Sequence, residues 1–200
     1  MEVGNYFGNV SKNYNKKRIG GFFGVLLNIF FVDKEKKVLI SKLKPSRGEK
    51  ILDAGCGSGL YSKIIASYGA EPFGIDISEG MIQQYTKSGM PGVVGDIEKL
   101  PFNFKFDKIL CAGALEFAND PSLAISSFSE HLKKNGTFVL LYPKSNIFGL
   151  LYYLYHKSHR INIKLFSKKH ITNIIGSNNF ILISICGANP LTNVLVTKRI

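Results

Sequence analysis

The chain has 200 residues, 45% of them hydrophobic and 20% charged, which suits one globular domain with a sizeable core and leaves no room for two ordinary ones. Its formal net charge is +12, unevenly spread: residues 1–50 carry eleven Lys/Arg against four Asp/Glu, 51–150 eight against ten, and 151–200 seven against none. Three separated cysteines, Cys56, Cys111 and Cys186, form no C-x-x-C. That argues against a disulfide framework or a zinc site, favours small packing roles for Cys56 and Cys111, and suits a reducing cytoplasm.

In chain order, residues 1–17 are polar and show no secretory signal. The longest apolar stretch, 19–32, has 14 residues with three glycines and an Asn, short of the roughly 18 a spanning helix needs. It can instead lie on a membrane surface or cover a pocket. A short strand is predicted at 50–53, then a glycine-rich turn, then a helix over 60–68. A second strand (71–76) precedes a helix over 79–87 with Ser78 as N-cap. Strands at 92–95 and 106–111 follow, then a helix over 121–133 with Pro121 in its first turn and Asn135-Gly136 as its end. A fifth strand spans 137–142. Strands alternating with helices imply a parallel sheet covered on both faces. The rhythm breaks over 143–167, an aromatic and basic insertion. A helix at 168–177 and strands at 180–186 and 193–198 complete the chain. The loop between those strands is too short for a crossover, so they should pair antiparallel.

The sharpest motif is Ile51-Leu52-Asp53-Ala54-Gly55-Cys56-Gly57-Ser58-Gly59. A strand delivers the chain into a turn with glycines at alternate positions, where a ligand can approach bare backbone, and a helix N-terminus follows with free amides. The spacing differs from the dinucleotide fingerprint. Asp53, two residues before the first glycine, suits a ligand bearing an ammonium group and would repel a pyrophosphate. Asp76, 23 residues after Asp53, ends the second strand, where an acid accepts hydrogen bonds from ribose hydroxyls. Asp96 with Ile97 ends the third and suits an exocyclic adenine amine. Residues 106–111 lead into Ala112-Gly113-Ala114-Leu115-Glu116-Phe117.

These four segments, within 14–142, resemble the successive motifs of class I S-adenosylmethionine-dependent methyltransferases, especially the type 11 group that methylates small molecules and quinones. The resemblance implies an α/β fold: a Rossmann-like, seven-stranded, mostly parallel sheet with an antiparallel last strand, helices on both faces, an N-terminal helical lid and an insertion after the fifth strand. It implies S-adenosyl-L-methionine as cofactor and a binding set of Tyr14, Asp53, Gly55, Cys56, Gly57, Gly59, Asp76, Ile77, Met81, Asp96, Ile97, Ala112 and Gly113. In that set the glycine loop holds the methionine part with Asp53 near its amino group, Asp76 holds the ribose, Ile77 lies against adenine, and 111–117 lines the methyl-transfer side. Tyr14-Asn15 departs from the family's Tyr-Asp element, and Glu116-Phe117 stands where many relatives have paired histidines. The expected organisation is one domain over 1–200: a helical cap (1–45), a cofactor-binding core (46–142), a lid insertion (143–167), and a helix with a strand pair (168–200).

The sulfonium already activates its methyl group, so positioning and water exclusion are the protein's main tasks. Segments 6–32 and 143–166 mix aromatic, aliphatic and basic residues. They suit walls around a small amphipathic or aromatic acceptor methylated on oxygen or carbon, and equally a peripheral contact with an anionic membrane. Glu116 and His156 are the candidates for a catalytic base. His156 and His159, at i and i+3, can be a base and its neighbour or simply part of a solvated lid helix. No metal motif is present. The charge leaves RNA or protein methylation, or cofactor binding without turnover, as rival functions. Against the first stand the lack of an Asn-Pro-Pro-Tyr signature and of room for an RNA-binding domain, so no specific nucleic-acid partner is expected. The sequence leaves the oligomeric state open.

Overall fold

The computed structural model describes residues 22–200 and Gly4, with side chains given for Gly4 and from Val32 onward. Tyr14-Asn15 and residues 6–21 of the first expected lid lie outside the described residues. Helix α1 (Phe22–Leu43) leads to strand β1 (Lys50–Ala54), helix α2 (Leu60–Ser67), strand β2 (Glu71–Asp76) and helix α3 (Glu79–Thr86). Strands β3 (Gly92–Val94) and β4 (Phe106–Ala112), a 3-10 turn (Leu115–Phe117), helix α4 (Pro121–His131) and strand β5 (Leu132–Pro143) follow. Helices α5 (Ile147–Ser158) and α6 (Lys168–Gly176) and strands β6 (Phe180–Gly187) and β7 (Thr192–Arg199) complete the fold.

The strands form one sheet in the order β3-β2-β1-β4-β5-β7-β6. The pairs from β3 to β5 are parallel, while β7 runs antiparallel to both β5 and β6. Alternation along each buried strand divides the core in two. Phe138, Leu140 and Tyr142 of β5 join Leu52, Ile109, Phe128 and Phe166 on one side. Val139 and Leu141 join Ile51, Leu110, Leu39, Leu43 and Ile65 on the other, beneath α1 and α2. Ser78 accepts from the Met81 amide and Asp120 from those of Ser122 and Leu123, fixing where α3 and α4 begin.

The fourth helix is shorter than expected and does not end at Asn135-Gly136. The chain turns extended at Leu132 and enters β5 directly. Asn135 then takes a left-handed conformation (φ 61°), and the pairing with β4 slips between Phe106 and Lys108. Gly136 is required at this bulge, since a Cβ there would lie 2.6 Å from Leu132 Cγ and 2.7 Å from the Lys133 carbonyl.

Candidate functional site

In this order β1 is flanked by β2, to which the chain goes next, and by β4, to which it returns. That reversal opens a crevice at the carboxyl ends of the strands. The glycine loop fills its floor, and its three glycines do different work. Gly55, Gly57 and Gly59 all have positive φ (75°, 52° and 89°). A Cβ on Gly55 would lie 2.2 Å from Ala114 Cβ, and one on Gly59 2.8 Å from Met90 Cε and 3.0 Å from the Tyr85 ring, whereas one on Gly57 would meet nothing within 4 Å. Gly55 and Gly59 therefore allow close packing, and Gly57 faces open space. Just past the neighbouring strand β4, Gly113 (φ 70°) is similarly open, its nearest neighbour being Glu116 Oε1 at 3.8 Å from an added Cβ. One stretch of backbone after β1 and one after the neighbouring β4 thus have open space beside them into which a side chain would project.

Asp76 braces this loop. Its Oδ2 accepts from the Gly57 amide and its Oδ1 from the Ser78 amide, both at 2.9 Å. A carboxylate has about four acceptor positions, so two remain for ligand hydroxyls. Burial holds the Asp76 carboxyl above the usual range, opposed by those two amides. Beside it Ile77 is 48% exposed, an apolar shelf at a strand end, and Gly4 lies against it. Asp96 is half-buried and takes the Glu98 amide on Oδ1, while Ile97 and Met81 are buried.

Asp53 has a protein partner that its sequence context does not reveal. It is 1% exposed and accepts from Ser62 Oγ of α2 at 2.7 Å, and Ser62 in turn accepts from the Tyr85 hydroxyl of α3 at 2.9 Å. The fully buried Tyr85 ring fits because Gly59, Gly74 and Gly92 have no side chain; a Cβ on any of them would come within 3.0 Å of it. Burial, with the nearby Asp76 charge, pushes Asp53 up to about 6 against the Ser62 hydrogen bond. Cys56, buried against this loop, and Cys111 in β4 are thiols driven well above their ordinary range by burial, which suits packing roles.

On the β4 side, Ala112 and Gly113 lead into the 3-10 turn holding Glu116, which is 2% exposed. Helix α5 packs over this turn. The His156 ring meets Phe117 at 5.3 Å and Tyr152 at 4.5 Å, both edge-on. His156 is buried, its Nδ1 has no hydrogen-bond partner, and burial lowers it to about 4, so it is neutral near pH 7. After α5 the chain returns to the same turn. The Lys164 amide donates to the Glu116 carbonyl at 2.8 Å, and Lys164 Nζ to the carbonyls of Ala118 and Asn119. The structure thus sets His156 against Phe117, the neighbour of Glu116, ties Gly57 to Asp76 by one hydrogen bond, leaves Asp53 buried beneath the loop, and puts Asp96 just past the end of β3. Its clearest omission from the sequence motifs is the Ser62–Tyr85 relay. Both residues lie on helices outside the glycine motif, and only the excess of glycines around Tyr85 hinted at a buried ring.

The donor set fits a hydroxyl-rich ligand with a cationic centre. Acids border the crevice, and no Lys or Arg occurs between Lys50 and Lys63 or between Lys108 and Lys133 to neutralise a pyrophosphate. Residues 52–140 match the methyltransferase-domain family. Among curated relatives, the chain is 37% identical over 99 residues to a ubiquinone biosynthesis O-methyltransferase of Pelagibacter ubique, covering 46% of this chain and 41% of that one. It is 27% identical over 164 residues to the mitochondrial ubiquinone biosynthesis O-methyltransferase of Schizosaccharomyces pombe, covering 72% and 60%. The chain spans about half the length of the curated relatives it matches. Among solved structures, magnesium protoporphyrin IX methyltransferase from Synechocystis, with S-adenosylhomocysteine bound, superimposes with a TM-score of 0.78 at 18% identity over 99% of this chain and 98% of that one.

Proposed function

We propose that the chain, whose residues 52–140 match the methyltransferase-domain family, binds S-adenosylmethionine in this crevice and methylates a small amphipathic or aromatic acceptor on oxygen or carbon. The observation that carries the reading is the glycine loop after β1, where Gly57 is open and its amide donates to Asp76 at the end of β2, beside the open Gly113 that follows the neighbouring β4. Gly57 and the loop amides hold the methionine part. Asp76 holds the ribose hydroxyls, Ile77 and Ile97 flank the adenine, and Asp96 takes its amine. Asp53 lies beneath the loop and contributes negative charge below the ligand's ammonium group. When bound, the sulfonium cofactor supplies a methyl group already activated for transfer to a nucleophile.

The protein's own contribution is orientation. Phe117, Tyr152 and His156 provide an apolar wall with one neutral imidazole nitrogen in it. Helix α5 excludes water from the acceptor side. Glu116 and His156 are the groups placed to accept a hydrogen bond from an acceptor hydroxyl. The named activities of the relatives, ubiquinone biosynthesis O-methylation and magnesium protoporphyrin IX methylation, support a non-polymeric acceptor. Three free cysteines suit a reducing compartment, and no helix among the described residues is long and apolar enough to cross a membrane. Metabolite profiling of a deletion strain tests the acceptor class. A small metabolite one methylene lighter than its wild-type counterpart should accumulate; an unmethylated RNA or protein site in its place refutes the small-molecule reading.

A further inference from the structure

Helix α5 is built inside out. Ile147, Phe148, Leu150, Leu151, Leu154 and Tyr155 are each between 46% and 63% exposed. At 100° per residue they form a continuous apolar stripe about 160° wide. The opposite, buried side carries Gly149 and His156. This orientation is fixed. A Cβ on Gly149 would lie 1.8 Å from the Lys144 carbonyl, so only that side of the helix can approach the end of β5. Asn146 caps the helix through the Gly149 amide and anchors it to the Pro190 carbonyl at 3.0 Å. The His156 carbonyl takes the Ile161 amide at the other end. The helix cannot roll to bury its apolar stripe without breaking these contacts.

Cations bracket the stripe. Near its start stand the exposed Lys34 and Lys168; they lie close enough to Lys144, whose half-buried Nζ donates to the Asn189 carbonyl, that their charges add to burial in lowering it below the ordinary lysine range. At its end lie Lys157, 5.6 Å over the Tyr153 ring, and the exposed Arg160. No Asp or Glu occurs after Glu130. Half of six large apolar side chains amounts to on the order of 500 Å², at the upper end of what monomers expose. Apolar burial combined with flanking positive charge is the signature of an interfacial helix on an anionic bilayer.

We propose that α5 is the docking surface for an anionic lipid bilayer, its apolar stripe entering the headgroup boundary and the flanking cations meeting lipid phosphates. The surface stands without the proposed methyl transfer. What rests on that reading is its consequence: the inner face of α5 touches Phe117 at the crevice, so docking places the acceptor wall beside the membrane, where an amphipathic acceptor resides.

Vesicle flotation of the full chain tests this, using phosphatidylcholine alone and phosphatidylcholine mixed with phosphatidylglycerol. The protein should float with the mixed vesicles, less as salt rises, and not with the neutral ones. Leu151→Glu combined with Leu154→Glu should lower the bound fraction at least about tenfold, with circular dichroism and S-adenosylhomocysteine affinity unchanged. Absence of flotation with anionic vesicles overturns the proposal, as does undiminished flotation of the variant. A wild-type dimer that the same substitutions dissociate, without vesicle binding, also overturns it and assigns the stripe to a second copy. Ligand affinity, measured in parallel, reports separately on the proposed cofactor site.

Discussion

Replacing Asp53 with Asn removes a buried charge while keeping an oxygen for Ser62 to donate to. Asp53 titrates at about 6 in the folded protein, against about 3.9 in an unfolded chain. The folded state therefore binds the proton more tightly, and ionisation works against folding. Below about pH 4 both states are protonated and the carboxyl has no differential effect. Between about 4 and 6 wild-type stability falls as pH rises, and above 6 the deficit is constant. A displacement of about two pH units corresponds to about 3 kcal/mol, an upper figure because the Asn amide needs its own partner. Urea unfolding of both proteins at several pH values isolates the effect as a difference curve. The variant should gain stability relative to wild type across the acidic window and hold a plateau of about 1–3 kcal/mol at neutral pH. The same variant should bind S-adenosylhomocysteine more weakly, as expected if the charge is kept for the ligand. A difference curve flat from about pH 4 to 8 would refute the reasoning that burial holds this carboxylate at a disadvantage.

The glycines separate by substitution. Gly57→Val should leave the fold intact with about 1–2 kcal/mol of backbone strain and abolish cofactor binding, whereas Gly55→Ala, meeting Ala114 at 2.2 Å, should destabilise the fold itself; equal ligand affinity in a folded Gly57→Val protein would remove the loop from the site. Tyr85→Phe deletes the hydroxyl that donates to Ser62 and should cost about 0.5–1.5 kcal/mol in urea unfolding; an unchanged midpoint would show the relay to be dispensable. His156→Ala should lower kcat/KM for the acceptor about tenfold, the loss of one neutral hydrogen bond, without changing cofactor affinity. Because His156 is neutral above about 4, the wild-type rate profile should show no step from this group near pH 6.5, and one that vanishes in the variant would contradict its burial.

The alternating core was readable because hydrophobic period and turn chemistry agree there: β2 spans the expected residues, and Ser78 caps α3 as its position implied. The antiparallel end of the sheet followed from the length of one loop. Reading failed where backbone geometry overrode a local signal. Asn135-Gly136 looks like a helix stop, but it is a bulge inside β5, made possible by a left-handed Asn and a glycine packed on Leu132. The acids at the strand ends were legible from register alone. The separate duties of Gly55, Gly57 and Gly59 were not, since they depend on Ala114, Tyr85 and Met90, all distant in sequence. For α5 the apolar content was plain, but its outward direction depends on the contact between Gly149 and Lys144.

The measurement that bears most directly on the crevice is calorimetric titration of the full chain with S-adenosylmethionine, S-adenosylhomocysteine and NAD, repeated with Asp76→Ala. Both sulfur ligands should bind and NAD should not, and the substitution should weaken the sulfur ligands by about 1–3 kcal/mol through lost ribose hydrogen bonds. Absence of heat from either sulfur ligand, or binding of NAD in their place, would contradict the assignment.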